Sequence, residues 1–185
     1  MSDNPLAPEW NAGLWFHTDQ PMRLADLRGK VVVLHAFQML CPGCVSHAIP
    51  QAERLHRLLQ GEDAVVVGLH TVFEHHAAMT PVSLKAFLHE YRITHPIGVD
   101  TPRAGSSIPE SMRAYGFQGT PSLLLIDWEG RIRHHGFGRA DDLALGLMIG
   151  RLLAETPASL KLADTGNGKD DANKEECNES SCANK

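Results

Sequence analysis

The chain has 185 residues, 43% of them hydrophobic and 21% charged, and a formal net charge of −5. That is enough chain for one domain with a full core but too little for two comfortable ones, and the acidic balance argues against a general affinity for nucleic acid or for an anionic membrane. Its four cysteines are too few for a disulfide-stapled scaffold of this length, and no apolar run approaches the roughly 20 residues of a membrane span.

The N-terminal stretch "MSDNPLAPEWNAG" has neither a positive n-region nor an apolar h-region, so it does not read as a secretory signal and the expected location is the cytoplasm. "LWFHT" and "MRLADL", on either side of "DQP", suggest an N-terminal β-hairpin. "VVVLHAF" (Val31–Phe37) is a continuous apolar, β-branched run and predicts a strand buried on both faces. From Pro42 to Leu59 the residues Val45, Ile49, Ala52, Leu55 and Leu59 recur at helical spacing, with a kink expected at Pro50 and a stop at Gly61. "AVVVGLHTV" (Ala64–Val72) is a second buried strand, and "TPVSLKAFLHEY" is a helix with Thr80 as N-cap and Pro81 at its first position. "HPIGVD" predicts a short strand and "IPESMRAYG" a short helix. "PSLLLID" and "IRHHGFG" flank the turn "WEG" as an antiparallel pair. "ADDLALGLMIGRLLAE" closes the folded part as an amphipathic helix. From about Ala158 onward there are almost no large apolar residues, so the expected organisation is one domain over 1–157 and a disordered acidic tail over 158–185.

Strands alternating with helices predict an α/β domain, a mixed β-sheet flanked by helices. In that order Cys41 of "CPGC" stands at the C-terminal end of a central strand and at the start of a helix, where open α/β sheets place their sites. The positive end of a helix favours a thiolate, so Cys41 is expected to attack disulfides. Pro42 suits the first helical position, and Gly43 keeps bulk away from the sulfurs. Cys44, three residues on and on the same face, can resolve the mixed disulfide that Cys41 forms. The same spacing also occurs in zinc sites and by chance; the βαβ context favours redox chemistry.

The chain resembles the thioredoxin superfamily, and within it the TlpA/ResA-like thiol–disulfide oxidoreductases, a redoxin or AhpC-TSA-like domain. The likeness covers roughly residues 10–155 and rests on "LADLRGKVVVLHAF", "CPGC", "GTPSLLLID" and "DWEGRIRHHGFG". It implies a thioredoxin fold with an αβ insertion from "GLHTVFEHH" to "FLHEYRITHPIGVD", and a cis Thr120–Pro121 bond lying against the cysteines. It further implies Cys41, Cys44 and Pro121 as catalytic residues and Pro42, Gly43 and Thr120 as the surface a substrate meets. Three departures stand out: Leu40 in place of a tryptophan, Pro-Gly between the cysteines, and His35 where thioredoxin carries the buried acid that handles the second cysteine's proton.

His35 is therefore either a packing residue or the acceptor of the Cys44 proton. His47 is read as solvated, and Glu74, His75 and His76 as a plain loop, the alternatives being tuning of the pair, an acid near the site and metal ligation. Gln38 could donate a hydrogen bond near the sulfurs. A peroxiredoxin-type thiol peroxidase has the same fold, but it needs a hydroxyl three residues before the reactive cysteine, where Gln38 stands. Cys177 and Cys182 are either two exposed thiols, a second dithiol that shuttles electrons to the first, or the other half of a four-thiolate zinc site with Cys41 and Cys44. The expected function is disulfide exchange with protein partners, as a reductase supplied by an upstream electron donor, without an organic cofactor or metal, nucleic acid or membrane, and as a monomer.

Overall fold

The computed structural model describes residues 4–155; the expected tail, with Cys177 and Cys182, lies outside the described residues. Six strands form one sheet: β1 (Ala12–Phe16), β2 (Val31–Phe37), β3 (Ala64–His70), β4 (Ile97–Asp100), β5 (Ser122–Ile126) and β6 (Ile132–Phe137), in the order β1-β4-β3-β2-β5-β6. β2 runs parallel to β3 from Val31↔Ala64 to Phe37↔His70 and antiparallel to β5. β3 and β4 are parallel, whereas β1 and β6 close the two edges in antiparallel pairing with β4 and β5. Four helices follow the chain: α1 (Ile49–Leu58), α2 (Pro81–Glu90), α3 (Glu110–Tyr115) and α4 (Asp142–Glu155).

The alternation of β2 divides the core. Val32, Leu34 and Ala36 face one side, with Val67, Leu69, Leu124 and Ile126, and pack against Trp10, Leu24, Met112 and Tyr115. Val31 and Val33 face the other side, under Ala52 of α1 and Leu145, Ile149 and Leu152 of α4. Further along that second face Phe37 packs with Cys44, Ile49, Leu84, Leu88 and Ile97. Each fully buried side chain of this size contributes about 1.5–3 kcal/mol, so the central strand is held firmly from both sides. His35 lies between Val33 and Phe37 on the second face, a buried polar residue between two apolar clusters.

The N-terminal hairpin is not formed. "LWFHT" contributes to β1, but its partner is β4, and "MRLADL" holds a 3-10 turn at Leu24–Leu27. The Glu9 carboxylate accepts the Leu24 and Ala25 N–H groups, and the Trp10 indole donates to the Met22 carbonyl at 2.7 Å. Those bonds curl the segment so that Leu24 reaches the core instead of extending as a strand.

Pro50 acts one turn before itself. Cys44–Ala48 form a π-helical turn, closed by the Ile49 N–H on the Cys44 carbonyl. Proline has no N–H to give, and its ring crowds the carbonyl four residues back, which opens the ladder at that point. The remaining elements match their sequence signals. Thr80 accepts the Ser83 N–H at 3.2 Å as the cap of α2, and Gly116 ends α3 at φ 67°.

Candidate active site at the CPGC turn

β2 ends at Phe37 and a tight turn follows, with the Cys41 N–H on the Gln38 carbonyl at 3.2 Å. The helix begins at Pro42, and the Val45 N–H closes its first turn on the Cys41 carbonyl at 3.0 Å. Cys41 is thus held at the mouth of the helix and is partly exposed, whereas Cys44 is fully buried. The Cys44 N–H donates to Cys41 Sγ at 3.2 Å, an amide of the first turn aimed at the sulfur. This arrangement favours negative charge on Cys41.

The two sulfurs are 2.6 Å apart as free thiols, with the Cys44 thiol donating to Cys41. Burial, and then that hydrogen bond, push the Cys44 thiol up to about 12. The outer sulfur is therefore accessible and receives the hydrogen bonds of the amide and of the inner thiol, and the inner one holds its proton.

The Thr120–Pro121 bond is cis, as the resemblance implied. The Thr120 carbonyl accepts from Cys41 Sγ at 3.4 Å. A Cβ at Gly43 would lie 3.5 Å from Pro121 Cδ, in van der Waals contact, so the turn lies directly against the proline. Cys41, Cys44, Gly43, Thr120 and Pro121 therefore meet in one place. Pro42 is exposed beside them and lines a groove with Leu40, Phe73, Glu74 and His75.

His35 is 2% exposed, and its ring stacks on Phe37 with centroids 5.3 Å apart. Its Nε2 is 2.7 Å from Nε2 of His95, and His95 Nδ1 is 2.5 Å from Glu53 Oε1. Its Nδ1 is buried without a hydrogen-bond partner. Burial, reinforced by His95, holds the His35 imidazole well below its ordinary range, so the ring is neutral at pH 7. Burial alone would raise the Glu53 carboxyl, but hydrogen bonds from His95 and Thr94 outweigh it and hold the group at about 2.

His95, Glu53 and Gly68 had no part in the sequence reading. A Cβ at Gly68 would collide with Ile97 Cδ1 and lie 2.8 Å from His35 Nε2 and 3.1 Å from His95 Nε2, so the bare backbone of β3 makes room for Ile97 and for the two rings to meet. A glycine inside a β-branched run is a signal of such close approach. The other candidates lie apart from this chain of groups. His47 is exposed and bonded to Ser46, and Glu74, His75 and His76 are exposed in the loop after β3. The Gln38 side chain is buried with its amide nitrogen unpartnered. Among the described residues no group of three or more His, Cys, Asp or Glu could hold a metal ion; the four-thiolate set would need Cys177 and Cys182, outside those residues.

A model of the AhpC/TSA family matches residues 6–135. Protein DipZ of Mycobacterium tuberculosis is 27% identical over 150 residues, 80% of this chain and 20% of that protein. Human NHL repeat-containing protein 2 is 32% identical over 144 residues, 75% of this chain and 19% of that protein. The chain spans about a fifth of the length of these curated relatives. Among solved structures, a thioredoxin-like superfamily protein is 55% identical with a TM-score of 0.79, covering 82% of this chain and 99% of the other. A thiol-disulfide isomerase from Corynebacterium glutamicum is 49% identical with a TM-score of 0.78, covering 83% and 99%.

Proposed function

The chain belongs to the AhpC/TSA family and has the thioredoxin-like fold of the thiol–disulfide oxidoreductases, and from that premise we propose that it reduces disulfides of protein partners through Cys41 and Cys44. The asymmetry of the two sulfurs carries this reading: one is partly exposed under a helix amide, the other buried and protonated.

The Cys41 thiolate attacks one sulfur of the substrate disulfide. The substrate's S–S bond breaks, its second sulfur leaves as a thiolate, and Cys41 is joined to the first. Cys44 then loses its proton, for which His35 is the acceptor, and attacks the Cys41 sulfur. The mixed disulfide breaks, the substrate's remaining sulfur leaves as a thiolate, and a Cys41–Cys44 disulfide forms. Two electrons have passed to the substrate, and an upstream dithiol donor returns them by the reverse exchange. Thr120, beside Cys41 with its carbonyl at 3.4 Å, and the Pro42–Gly43 turn form the surface that receives the extended substrate segment. In a reducing cytoplasm the pair stays mostly reduced, which suits a reductase.

A peroxidase would need a hydroxyl to polarise peroxide where Gln38 stands, and the amide of Gln38 is buried. The test is turnover of insulin disulfides with dithiothreitol as donor, beside consumption of hydrogen peroxide. The expected result is insulin reduction that Cys41→Ser abolishes, with slow peroxide consumption. Fast peroxide consumption without insulin reduction would replace this reading with the peroxidase.

A further inference from the structure

Resting on that reading, the geometry points to a buried proton relay, His35–His95–Glu53, that takes the proton of Cys44 and stores it on His95 while the mixed disulfide resolves. In this scheme His35 is the acceptor, and His95 and Glu53 are positioning residues that act through it.

With His95 neutral, the hydrogen bonds set the direction of every proton. Glu53 Oε1 accepts the N–H of Thr94 at 2.7 Å and of His95 at 3.2 Å, and Oε2 accepts the Thr94 hydroxyl at 3.0 Å. A carboxylate with that many donors is ionised, so the imidazole that meets it at 2.5 Å donates from Nδ1. Neutral His95 then presents a bare Nε2, and the 2.7 Å contact requires His35 to donate from its own Nε2. That leaves the lone pair on His35 Nδ1, the buried ring nitrogen without a partner. An unpaired acceptor in a buried network needs a reason, and receiving a proton supplies one.

His35 lines a small cavity with Ala48, Gln51 and Pro121. Ala48 lies one turn beyond Cys44 on the same helix, and Pro121 lies against the turn at Gly43.

The S–H bond of Cys44 breaks and its electron pair stays on sulfur. That proton passes to His35 Nδ1, the unpartnered ring nitrogen. The Nε2 proton of His35 moves to His95 Nε2. His35 ends neutral in its other tautomer, and His95 ends as an imidazolium against the Glu53 carboxylate. An isolated buried imidazolium is costly, and a paired one much less so. The groups around the relay are His35 from β2, Glu53, His56 and Arg57 from α1, and His95 from the approach to β4; β3 contributes Gly68, and β5 contributes Ser122 and Leu123. His56, half-buried with its ring 6.0 Å from that of His95, and Arg57, 3.8 Å from Glu53 Oε2, mark the end of the relay that reaches solvent.

The test is stopped-flow release of thionitrobenzoate from Ellman's reagent, in full-length protein carrying Cys177→Ser and Cys182→Ser. The first phase, attack by Cys41, depends on reagent concentration; the second, resolution by Cys44, does not. With the relay intact, the second phase should be nearly flat from pH 7 to 8.5. Glu53→Gln should slow it about tenfold or more at pH 7 and make it rise with pH, leaving the first phase in place. Glu53→Gln combined with His35→Asn should be no slower than His35→Asn alone, because a relay fails once. An unchanged second phase in Glu53→Gln, or equal slowing of both phases, overturns the relay and leaves the dithiol reading standing. Absence of a second phase in the parent protein overturns the dithiol reading itself. ¹⁵N imidazole spectra of the parent protein test the same claim without a variant: His35 should carry its proton on Nε2 and His95 on Nδ1, and a proton on His35 Nδ1 overturns the relay.

Discussion

Two buried carboxylates, Asp100 and Glu53, organise the two faces of the sheet in different ways. Asp100 accepts the Thr71 hydroxyl at 2.9 Å, the Ser111 N–H at 2.8 Å and the Met112 N–H at 2.9 Å. Every partner is a hydroxyl or a backbone amide, none can pass a proton on at neutral pH, and the network ends by anchoring the first turn of α3. Glu53 also collects backbone amides, but its fourth donor is an imidazole that leads through a second imidazole to an unpaired nitrogen. A closed network makes a fold rigid, while one that ends in an open acceptor is placed to take a proton.

The largest effect should come from opening the closed network. Asp100→Ala leaves the N–H groups of Ser111 and Met112 without their acceptor and should cost about 2–4 kcal/mol of stability, read from urea unfolding, while the exchange rate per folded molecule stays as it was. A slowed exchange at full folding would break the contrast between the two faces. Gly68→Ala sharpens it from the other side: a methyl there would collide with the tip of Ile97 and crowd both imidazoles, which should cost about 1–3 kcal/mol and also slow the resolving phase. His35→Asn should slow resolution on the order of tenfold or more, roughly 1.4 kcal/mol, with attack by Cys41 nearly unchanged from pH 6 to 8. Equal resolution rates would make His35 a packing residue.

Acid should also separate the faces. The Glu53 carboxyl is held at about 2 against an ordinary 4.5, so the stability it contributes is present above pH 4.5 and is lost as pH falls from there towards 2. Glu53→Gln should lack that part of the acid transition; an identical pH–stability curve would place the acid sensitivity elsewhere. The smallest effect should follow from ending the chain at Thr156. The change in composition there predicts an unchanged Tm and unchanged reductase activity, and lost activity at unchanged Tm would make Cys177 and Cys182 a second dithiol.

The sequence was most legible where one residue pattern has one physical solution. A β-branched run such as "VVVLHAF" can only be buried on both faces, and it is. Thr80 followed by Pro81 starts a helix, and does. The CPGC turn and the cis Thr120–Pro121 bond stand where the resemblance put them. Legibility failed where a distant side chain decides the local structure. "MRLADL" alternates well enough for a strand, but the Glu9 carboxylate captures its amides and turns it. His35 could be singled out from its position before Cys41, but its partners lie 60 positions away at His95 and, through His95, at Glu53 on α1. Only Gly68, out of place among valines, hinted that something approached β3 closely.

The division of labour between the two cysteines is tested most directly by trapping. Full-length Cys44→Ser and Cys41→Ser, each also carrying Cys177→Ser and Cys182→Ser, are mixed with oxidised insulin, and the products are read by mass spectrometry without reductant. The account predicts a stable adduct on Cys41 in the Cys44→Ser protein and none in the Cys41→Ser protein. An adduct through Cys44, with none through Cys41, would contradict it.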